Sequence, residues 1–289
     1  AVARALKLKA DIYHFHDPEL LPWMCYIAKN YGIKVVWDVH ELYSATIKEF
    51  HLRSFPFLAD MLAKFYNKFE KLWCSPFAGI VAVTDPLRHR YEKMGYGGNC
   101  VVVRNTIDLK RLPAPVPELR KNSSFSAVAS GTTNNSRCVM ELVDAFGLVV
   151  EKHKNAVLNL ISVFDSGKSE RRIREYIDGK GLAGSIRISG FIPWNRLVAE
   201  ELPKNHVGLV LYAKTENNCA GLPNRLFEYW ACRLPVIATD TPLLSELVSA
   251  CGGGKIVNSE NPTEIASAIC HYIENPEAAI ADGMKGRQA

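Results

Sequence analysis

The stretch from Glu216 to Asp240, with the sequence ENNCAGLPNRLFEYWACRLPVIATD, constrains the fold more than any other part of the chain. Gly221 and Pro223 break the chain after the apolar run VGLVLY, and Asn224 stands where the N-cap of a helix is expected. Apolar residues then recur at helical spacing until Pro235, which ends the helix and opens the short apolar run PVIATD. The stretch therefore predicts a strand, a loop, a helix that begins at Asn224, and a second strand.

The loop before this helix and its first turn have the character of an anion site. Backbone amides at the start of a helix carry partial positive charge, which suits a phosphate. Glu228 lies one turn further in, where its carboxylate would accept hydrogen bonds from two neighbouring hydroxyls, such as those of a ribose. The pattern predicts half of a nucleotide site, and a solvated glutamate beside an ordinary turn is the alternative.

Strands and helices alternate along the rest of the chain. Short apolar runs predict about four strands before residue 105 and about six after residue 124. The stretch LKRLPAPVPELRKNSS, which lies between the two series, is typical of a linker. We therefore predict an α/β fold with two doubly wound, Rossmann-like domains, residues 1–110 and 124–289, joined by a linker at 111–123.

Composition and charge exclude several classes of protein. The net charge of +5 suits an anionic ligand or membrane surface but is too weakly basic for a nucleic-acid binder. The eight cysteines show no pairing pattern, and neither a signal peptide nor an apolar run of about 18 residues is present. No carboxylate cluster or His/Cys spacing requires a metal. We expect a cytoplasmic protein without a metal or other cofactor.

Several segments together resemble the retaining glycosyltransferases of family 4, which have the two-domain GT-B fold. The segment GLPNRLFEYWACRLPVIATD is similar to their donor-binding segment. Other similar segments cover nearly the whole chain: DIYHFHDPELLP, VVWDVHELYS, VAVTDPLRHRY, VVRNTIDL, SGTTNNSRCVMELVDAF and ISGFIPW. The resemblance implies transfer of a sugar, with retention, from a nucleotide-sugar donor to a sugar or lipid-linked acceptor in cell-surface polysaccharide or glycolipid synthesis. By the same comparison, the chain looks like a fragment that lacks the first strand and the last helix of the family.

Two histidines at predicted strand ends are candidate site residues of the first domain. The carboxyl ends of strands in open α/β sheets carry ligand-binding loops, and His16 and His40 both lie there. By resemblance, His16 contacts the transferred sugar as the catalytic residue, and His40 shapes the acceptor side. A helix-capping role for His16 and an exposed loop position for His40 are the alternatives. His14 is assigned to the opposite face of its strand as a core residue.

In the second domain, the resemblance implies a site for the diphosphate and the nucleoside. Arg137 matches one of two cations that neutralise the leaving diphosphate, whereas Thr132 stands where the other is usual, so that one charge is missing. Glu228 would hold the ribose and Phe191 would stack on the base, with plain packing as the alternative for Phe191. The remaining candidates form the loop and helix start whose backbone amides would bind the phosphates: Leu222, Pro223, Asn224, Arg225 and Leu226.

A second departure from the family pattern concerns the donor sugar. The pattern Glu-x7-Glu retains its second acid, Glu228, but has Ala220 at the place of the first, which normally approaches the transferred sugar. The sequence therefore does not identify the donor sugar. The alternative function is a catalytically inactive nucleotide-sugar-binding or assembly subunit of the same fold.

A long helix predicted from about Pro56 to Trp73 has large apolar residues on one side and lysines elsewhere. This pattern is typical of a helix that packs on the core and has one solvated face. A helix that lies on an anionic membrane is the alternative, and it would place the protein peripherally at the inner membrane face.

Overall fold

The computed structural model describes residues 2–51, 55–112 and 124–289. The chain divides into two compact units, the first formed by Ala1–Asn105 with Thr215–Gly221 and the second by Thr106–Lys214 with Leu222–Ala289. Residues 113–123, which make up most of the predicted linker, lie outside the described part of the chain. The return of Thr215–Gly221 to the first unit has no signal in the sequence pattern.

All strands of the described residues belong to two parallel sheets. The first unit contains β1 (Ile12–Phe15), β2 (Lys34–Val39), β3 (Gly79–Ala82) and β4 (Cys100–Val102). The second contains β5 (Ser126–Thr133), β6 (Val157–Phe164), β7 (Ile186–Ser189), β8 (Val207–Val210), β9 (Val236–Thr239) and β10 (Gly254–Val257). The expected four and six strands are thus confirmed within the described residues.

Helices connect these strands in the order that the alternating pattern predicts. They are α1 (Val2–Lys7), α2 (Leu21–Tyr31), α3 (Tyr43–Thr46), α4 (Pro56–Cys74), α5 (Asp85–Tyr91), α6 (Val139–Lys152), α7 (Gly167–Gly179), α8 (Trp194–Arg196), α9 (Glu216–Ala220), α10 (Asn224–Ala231), α11 (Pro242–Cys251), α12 (Pro262–Glu274) and α13 (Pro276–Gln288). Segments with π-helical bonding continue α3, α5 and α8, and α9 belongs to the first unit.

Helix α4 packs on its unit through its small side chains, which differs from the core-facing helix that the sequence favours. Ala59, Ala63 and Cys74 are buried, as is Glu70, which pairs with Arg90. The large apolar residues are exposed instead: Phe57, Leu58, Met61, Leu62, Phe65 and Leu72. Most of the predicted apolar side therefore faces solvent, contrary to the expectation, while Tyr66 and Trp73 pack against the core of the unit.

The second sheet has the strand order β7-β6-β5-β8-β9-β10, which is 3-2-1-4-5-6 in chain order. This order belongs to Rossmann-type domains, and the chain changes direction between the two central strands, β5 and β8. A crevice opens outside the carboxyl ends of strands at such a switch point. The topology therefore predicts that ligands bind after β5 and β8.

Helix α10 begins at Asn224, as predicted, but Asn224 is not its N-cap. Pro223 has the extended backbone of the N-cap residue, and no side chain caps the helix. Behind the helix, the ring of Tyr229 covers Gly208, where an added Cβ would lie 2.2 Å from the ring. Glycine at position 208 thus lets α10 pack directly on β8.

Candidate functional site

A cleft of about 580 Å³ lies in the second unit, beside the switch point of its sheet. Its size is in the range of small-molecule sites. The cleft is lined by residues that follow β5, β7 and β8 and by the first turn of α10. These include most of the second-domain candidates: Thr132, Arg137, Phe191, Pro223, Asn224, Arg225 and Glu228.

The end of β5 positions Arg137. Gly131 has a φ of +104°, which favours glycine, and the chain then makes a short 3-10 turn at Asn135–Arg137. The side chain of Asn134 caps this turn by accepting hydrogen bonds from the Ser136 backbone N–H and from its hydroxyl at 3.0 and 2.7 Å. The Ala213 N–H donates to the Ser136 carbonyl at 2.9 Å, which ties the turn to the end of β8. The guanidinium of Arg137 is therefore held at the switch point.

The guanidinium of Arg137 has no counter-ion in the part of the chain that the structure describes. Its Nε and Nη1 atoms are buried and have no hydrogen-bond partner among the described residues. Burial lowers the pKa of Arg137 to about 10, the nearby Tyr212 opposes this shift, and the positive charge of Arg225 adds to it. A buried cation without an acceptor is costly, so this geometry is ready for an anion.

Tyr212 supports Arg137 and was missed by the sequence analysis. The guanidinium carbon of Arg137 lies 4.1 Å from the centroid of the Tyr212 ring, in a cation–π arrangement. The backbone of Tyr212 is fixed by Thr239, whose hydroxyl oxygen accepts from the Tyr212 N–H at 2.7 Å, and by Ser259, whose hydroxyl donates to the Tyr212 carbonyl at 2.7 Å. Tyr212 ends the predicted strand VGLVLY, but its ring orientation depends on these non-local bonds.

Arg225 brings a second positive charge to the same place. Its guanidinium carbon lies 5.3 Å from the Tyr212 ring centroid. Its Nη2 atom also lies 2.5 Å from where a Cβ on Gly131 would be. The backbone at position 131 therefore favours glycine, and a side chain there would displace the Arg225 guanidinium. Arg225 therefore places a positive charge beside Gly131, the neighbour of Thr132 in β5.

Glu228 and Trp194 form the opposite side of the cleft. The Trp194 Nε1–H donates to Glu228 Oε1 at 2.9 Å, which fixes one carboxylate oxygen. Phe191, which precedes Trp194 in the loop after β7, is 77% exposed and lines the cleft. This leaves Glu228 Oε2 available to accept from a ligand and the Phe191 ring available for stacking.

Two predicted contact residues do not line the cleft. Leu226 is fully buried in the core of the second unit, and its N–H donates to the Pro223 carbonyl at 3.1 Å. Leu222 is half-buried and packs against the same core. The Leu226 N–H is thus already bonded within the helix start, and the assignment of Leu222 and Leu226 as phosphate contacts stays a prediction. Ala220 lies in the first unit, where its carbonyl accepts from the Thr84 hydroxyl at 2.6 Å.

The first unit brings together the histidines at its strand ends. His16 follows β1 and His40 follows β2, and His16 Nδ1 lies 3.0 Å from His40 Nε2. His14 is exposed, and its ring centroid lies 4.9 Å from that of His16. The assignment of His14 to the core is wrong, because residues two apart in a strand point to the same face.

Asp38 completes this group and was also missed. His14 Nε2 and His16 Nδ1 lie 3.5 and 3.3 Å from Asp38 Oδ2, and His40 Nε2 lies 3.6 Å from Asp38 Oδ1. Ligand atoms of His14, His16 and Asp38 lie within 4.8 Å of one another, a spacing that a metal ion requires. The signal in the sequence is the pair H-x-H and D-x-H on two predicted neighbouring strands.

Comparisons with known proteins agree with this architecture. Residues 124–275 match the family described as glycosyl transferases group 1, and residues 1–111 match glycosyltransferase family 4. A comparison with curated proteins gave no match.

Solved structures share the fold at low sequence identity. Sucrose-phosphate synthase from Thermosynechococcus elongatus has a TM-score of 0.79 and 18% identity, over 99% of this chain and 70% of that one. Anabaena HepE in complex with UDP and glucose has a TM-score of 0.79 and 14% identity, over 99% of this chain and 75% of that one. A variant of S. aureus TarM in complex with UDP has a TM-score of 0.76 and 16% identity, over 99% of this chain and 54% of that one.

Two parallel Rossmann-like sheets, with an anion-ready cleft at the switch point of the second, define a glycosyltransferase of the GT-B fold. The match over residues 124–275 covers more than half of the sequence. The chain therefore belongs to the glycosyl transferases group 1 family, which confirms the resemblance found in the sequence.

Proposed function

We propose that the protein transfers a sugar from a nucleotide-diphosphate donor to an acceptor hydroxyl, with retention at the anomeric carbon. The observation that carries this proposal is the pair of guanidinium groups, Arg137 and Arg225, whose central carbons lie 4.1 and 5.3 Å from the centroid of the same Tyr212 ring. No described residue pairs with either group, and a diphosphate would satisfy both. Retention rests on the resemblance to family 4.

The proposed chemistry depends on stabilising the leaving group. Cleavage of the bond between sugar and phosphate places negative charge on the departing diphosphate. Fixed cations in a poorly solvated cleft stabilise such charge strongly, because they need no reorganisation during the reaction. Arg137 and Arg225 are already held in place by the turn after β5 and by α10. We assign both to diphosphate binding.

The nucleoside would occupy the side of the cleft formed by Glu228 and Phe191. Glu228 accepts from Trp194 through one oxygen, and its second oxygen would accept from the ribose hydroxyls. Phe191 would stack on the base. Because HepE was solved with UDP and glucose, UDP-sugars are the first donors to test.

The histidines of the first unit complete the proposal. We propose that His16 contacts the transferred sugar and that His40 contributes to acceptor binding, with a sugar or a lipid-linked sugar as acceptor. These roles rest on the resemblance. Transfer is proposed to need no metal, so a chelator should leave turnover unchanged.

Ligand binding by matched variants tests the diphosphate assignment. Arg225→Met should weaken the binding of both UDP and inorganic pyrophosphate about ten-fold or more, because it removes a charge-assisted contact. Glu228→Gln should weaken the binding of UDP but not that of pyrophosphate, because pyrophosphate has no ribose. Arg196→Met, at an exposed arginine that pairs with Glu200, is the control and should bind both ligands normally. Unchanged UDP binding by Arg225→Met would contradict the proposed site.

The alternative is a binding or assembly subunit without catalysis, and Ala220 in place of the family's first acid favours it. Binding alone does not separate it from an enzyme. Release of UDP from a panel of UDP-sugars, with and without sugar acceptors, does so. Turnover that Glu228→Ala reduces supports the enzyme. Binding without turnover on any donor favours the subunit.

Helix α4 supports a peripheral membrane contact. Its exposed apolar residues include Phe57 and Phe65, and exposed lysines such as Lys68 lie on the same helix. Aromatic rings together with lysines suit an anionic lipid surface. No helix of the described residues is long and apolar enough to span a bilayer.

Vesicle sedimentation tests the contact of α4 with lipid. The protein should bind phosphatidylglycerol vesicles more tightly than phosphatidylcholine vesicles, and Phe65→Ser should reduce this binding several-fold. Ile280→Ser, at an exposed apolar residue of α13 in the second unit, is the control. Equal sedimentation of both variants would exclude α4 as the membrane-binding surface.

A further inference from the structure

Three histidines and one aspartate meet at the carboxyl ends of β1 and β2. We propose that His14, His16, Asp38 and His40 form a binding site for one Zn²⁺ ion. The inference concerns the first unit alone and does not depend on the proposed transfer reaction. It departs from the sequence-based expectation that the protein has no metal site.

The backbone of the parallel sheet brings the four residues together. His14 pairs with Val36, and Phe15 pairs with Trp37, in the register of β1 and β2. Continuing this register places His16 beside Asp38. Since side chains alternate between the two faces of a sheet, positions 14 and 16 on one strand share a face with positions 38 and 40 on its neighbour. The Trp37 Nε1–H also donates to the His16 carbonyl at 3.3 Å, which holds the end of β1 against β2.

Four separations between side-chain atoms of this group lie close to the spacing of ligands around a tetrahedral ion. Two ligand atoms that each lie about 2.0–2.1 Å from Zn²⁺ are about 3.3 Å apart in tetrahedral geometry. The measured separations are 3.0 Å between His16 Nδ1 and His40 Nε2, and 3.3 Å between His16 Nδ1 and Asp38 Oδ2. His14 Nε2 lies 3.5 Å from Asp38 Oδ2, and His40 Nε2 lies 3.6 Å from Asp38 Oδ1. His14, His16 and Asp38 have ligand atoms within 4.8 Å of one another, and His40 would join them as the fourth ligand after a side-chain adjustment.

An unsatisfied oxygen points to the same conclusion. Asp38 Oδ1 is buried and has no hydrogen-bond partner among the described residues. The Asp38 side chain is only 15% exposed, so water does not readily replace a missing donor. A buried carboxylate oxygen normally has a donor or a metal ion beside it. An ion between Asp38 and the three rings would satisfy this oxygen and also the lone pairs of the histidines.

The donor set favours Zn²⁺ over harder cations. Imidazole nitrogen is a good ligand for zinc, whereas Mg²⁺ and Ca²⁺ prefer oxygen ligands. His14, His16 and His40 have side chains that are 49%, 53% and 43% exposed, so an ion can enter from solvent. A bound ion would occupy the ring nitrogens of His16 and His40 that the proposed function assigns to sugars. Zinc binding and sugar binding would therefore exclude each other.

Titration of the chelator-treated protein, purified without a histidine tag, tests the site. Calorimetry with ZnCl₂ should give one ion per chain, and Co²⁺ should produce the visible absorption of a tetrahedral complex. His14→Ala should weaken Zn²⁺ binding about ten-fold or more, because it removes a ligand from an exposed position with little effect on the core. His89→Ala, which removes an exposed histidine of α5 in the same unit, is the matched control and should bind zinc normally.

Asp38→Asn provides a second variant that retains the shape of the side chain. It should weaken Zn²⁺ binding while circular dichroism shows an unchanged fold. Absence of Zn²⁺ binding by the wild-type protein would overturn the proposal and leave a hydrogen-bonded histidine cluster. Zinc binding by His14→Ala and Asp38→Asn with wild-type affinity would also overturn it, because the ion would then lie elsewhere. Neither result bears on diphosphate binding by the second unit.

Discussion

Replacing Arg137 with methionine should separate the stability of the ligand-free protein from its affinity for a diphosphate. Methionine retains most of the length of the arginine side chain and its contact with Tyr212 but removes the charge. The guanidinium has buried Nε and Nη1 atoms without partners among the described residues. Arg137→Met should therefore stabilise the free protein and weaken ligand binding.

The expected change in the free energy of unfolding follows from the pKa of Arg137. Burial lowers the pKa of Arg137 from the ordinary value of an arginine to about 10. At about 1.4 kcal/mol per pKa unit, the charged form costs about 3 kcal/mol in the folded state. Because the folded-state pKa is lowered for a cation, this cost is fully present below about pH 10 and declines as the pH rises toward the ordinary pKa of an arginine. Loss of the cation–π contact with Tyr212 offsets about 1 kcal/mol, so we expect a net stabilisation of about 2 kcal/mol at pH 7.

Thermal unfolding with and without UDP measures both effects. A stabilisation of about 2 kcal/mol corresponds to a rise in Tm of roughly 4–8 °C for a domain of this size. The loss of charge-assisted hydrogen bonds, about 1.5–3 kcal/mol, should raise the Kd for UDP roughly 10- to 150-fold and abolish most of the UDP-induced rise in Tm. Arg172→Met, at an exposed arginine of α7, should change neither quantity. A destabilised variant that still binds UDP like the wild type would refute the reasoning.

Three further predictions concern other contacts. Gly131→Ala should lower the free energy of unfolding by about 1–3 kcal/mol and weaken UDP binding, because its φ is +104° and the new Cβ would collide with Arg225; urea titration and calorimetry check this. Trp194→Phe removes the donor to Glu228 and should raise the Kd for UDP several-fold without affecting pyrophosphate, as measured by competition binding. Micromolar Zn²⁺ should inhibit sugar transfer by the wild-type protein, and the inhibition should be weaker in His14→Ala; a dose–response assay against Mg²⁺ shows whether the effect is specific.

Much of the fold could be predicted because its signals are local. Short apolar runs between turn residues mark the ten strands of the described residues, and Gly32 ends α2 in the left-handed conformation that glycine adopts readily. The prediction that α10 begins at Asn224 was correct, because its signals, Pro223 and the apolar periodicity, are adjacent in sequence. Its cap was misassigned by one residue, because proline adopts the extended N-cap conformation without a capping side chain.

The composition of the sites was harder to predict because it depends on contacts between distant segments. Thr132 alone suggests a missing charge, and only the tertiary structure shows that the guanidinium of Arg225 lies beside the neighbouring Gly131. Leu226 fits a helix-start amide in sequence but is buried in the core. The face to which His14 points follows from strand alternation, yet its nearness to Asp38 requires the pairing of β1 with β2.

The sequence by itself determined the class of fold, the order of its elements and the family, because hydrophobic periodicity and turn residues act over a few positions along the chain. It also identified Arg137 and Glu228 as candidates through the segments around them. Only the tertiary structure decided which charges lack partners, which aromatic rings support them and which histidines converge. Charge pairing and burial depend on atoms brought together by strand order and helix packing, and residues far apart in the chain give no local sign of meeting there.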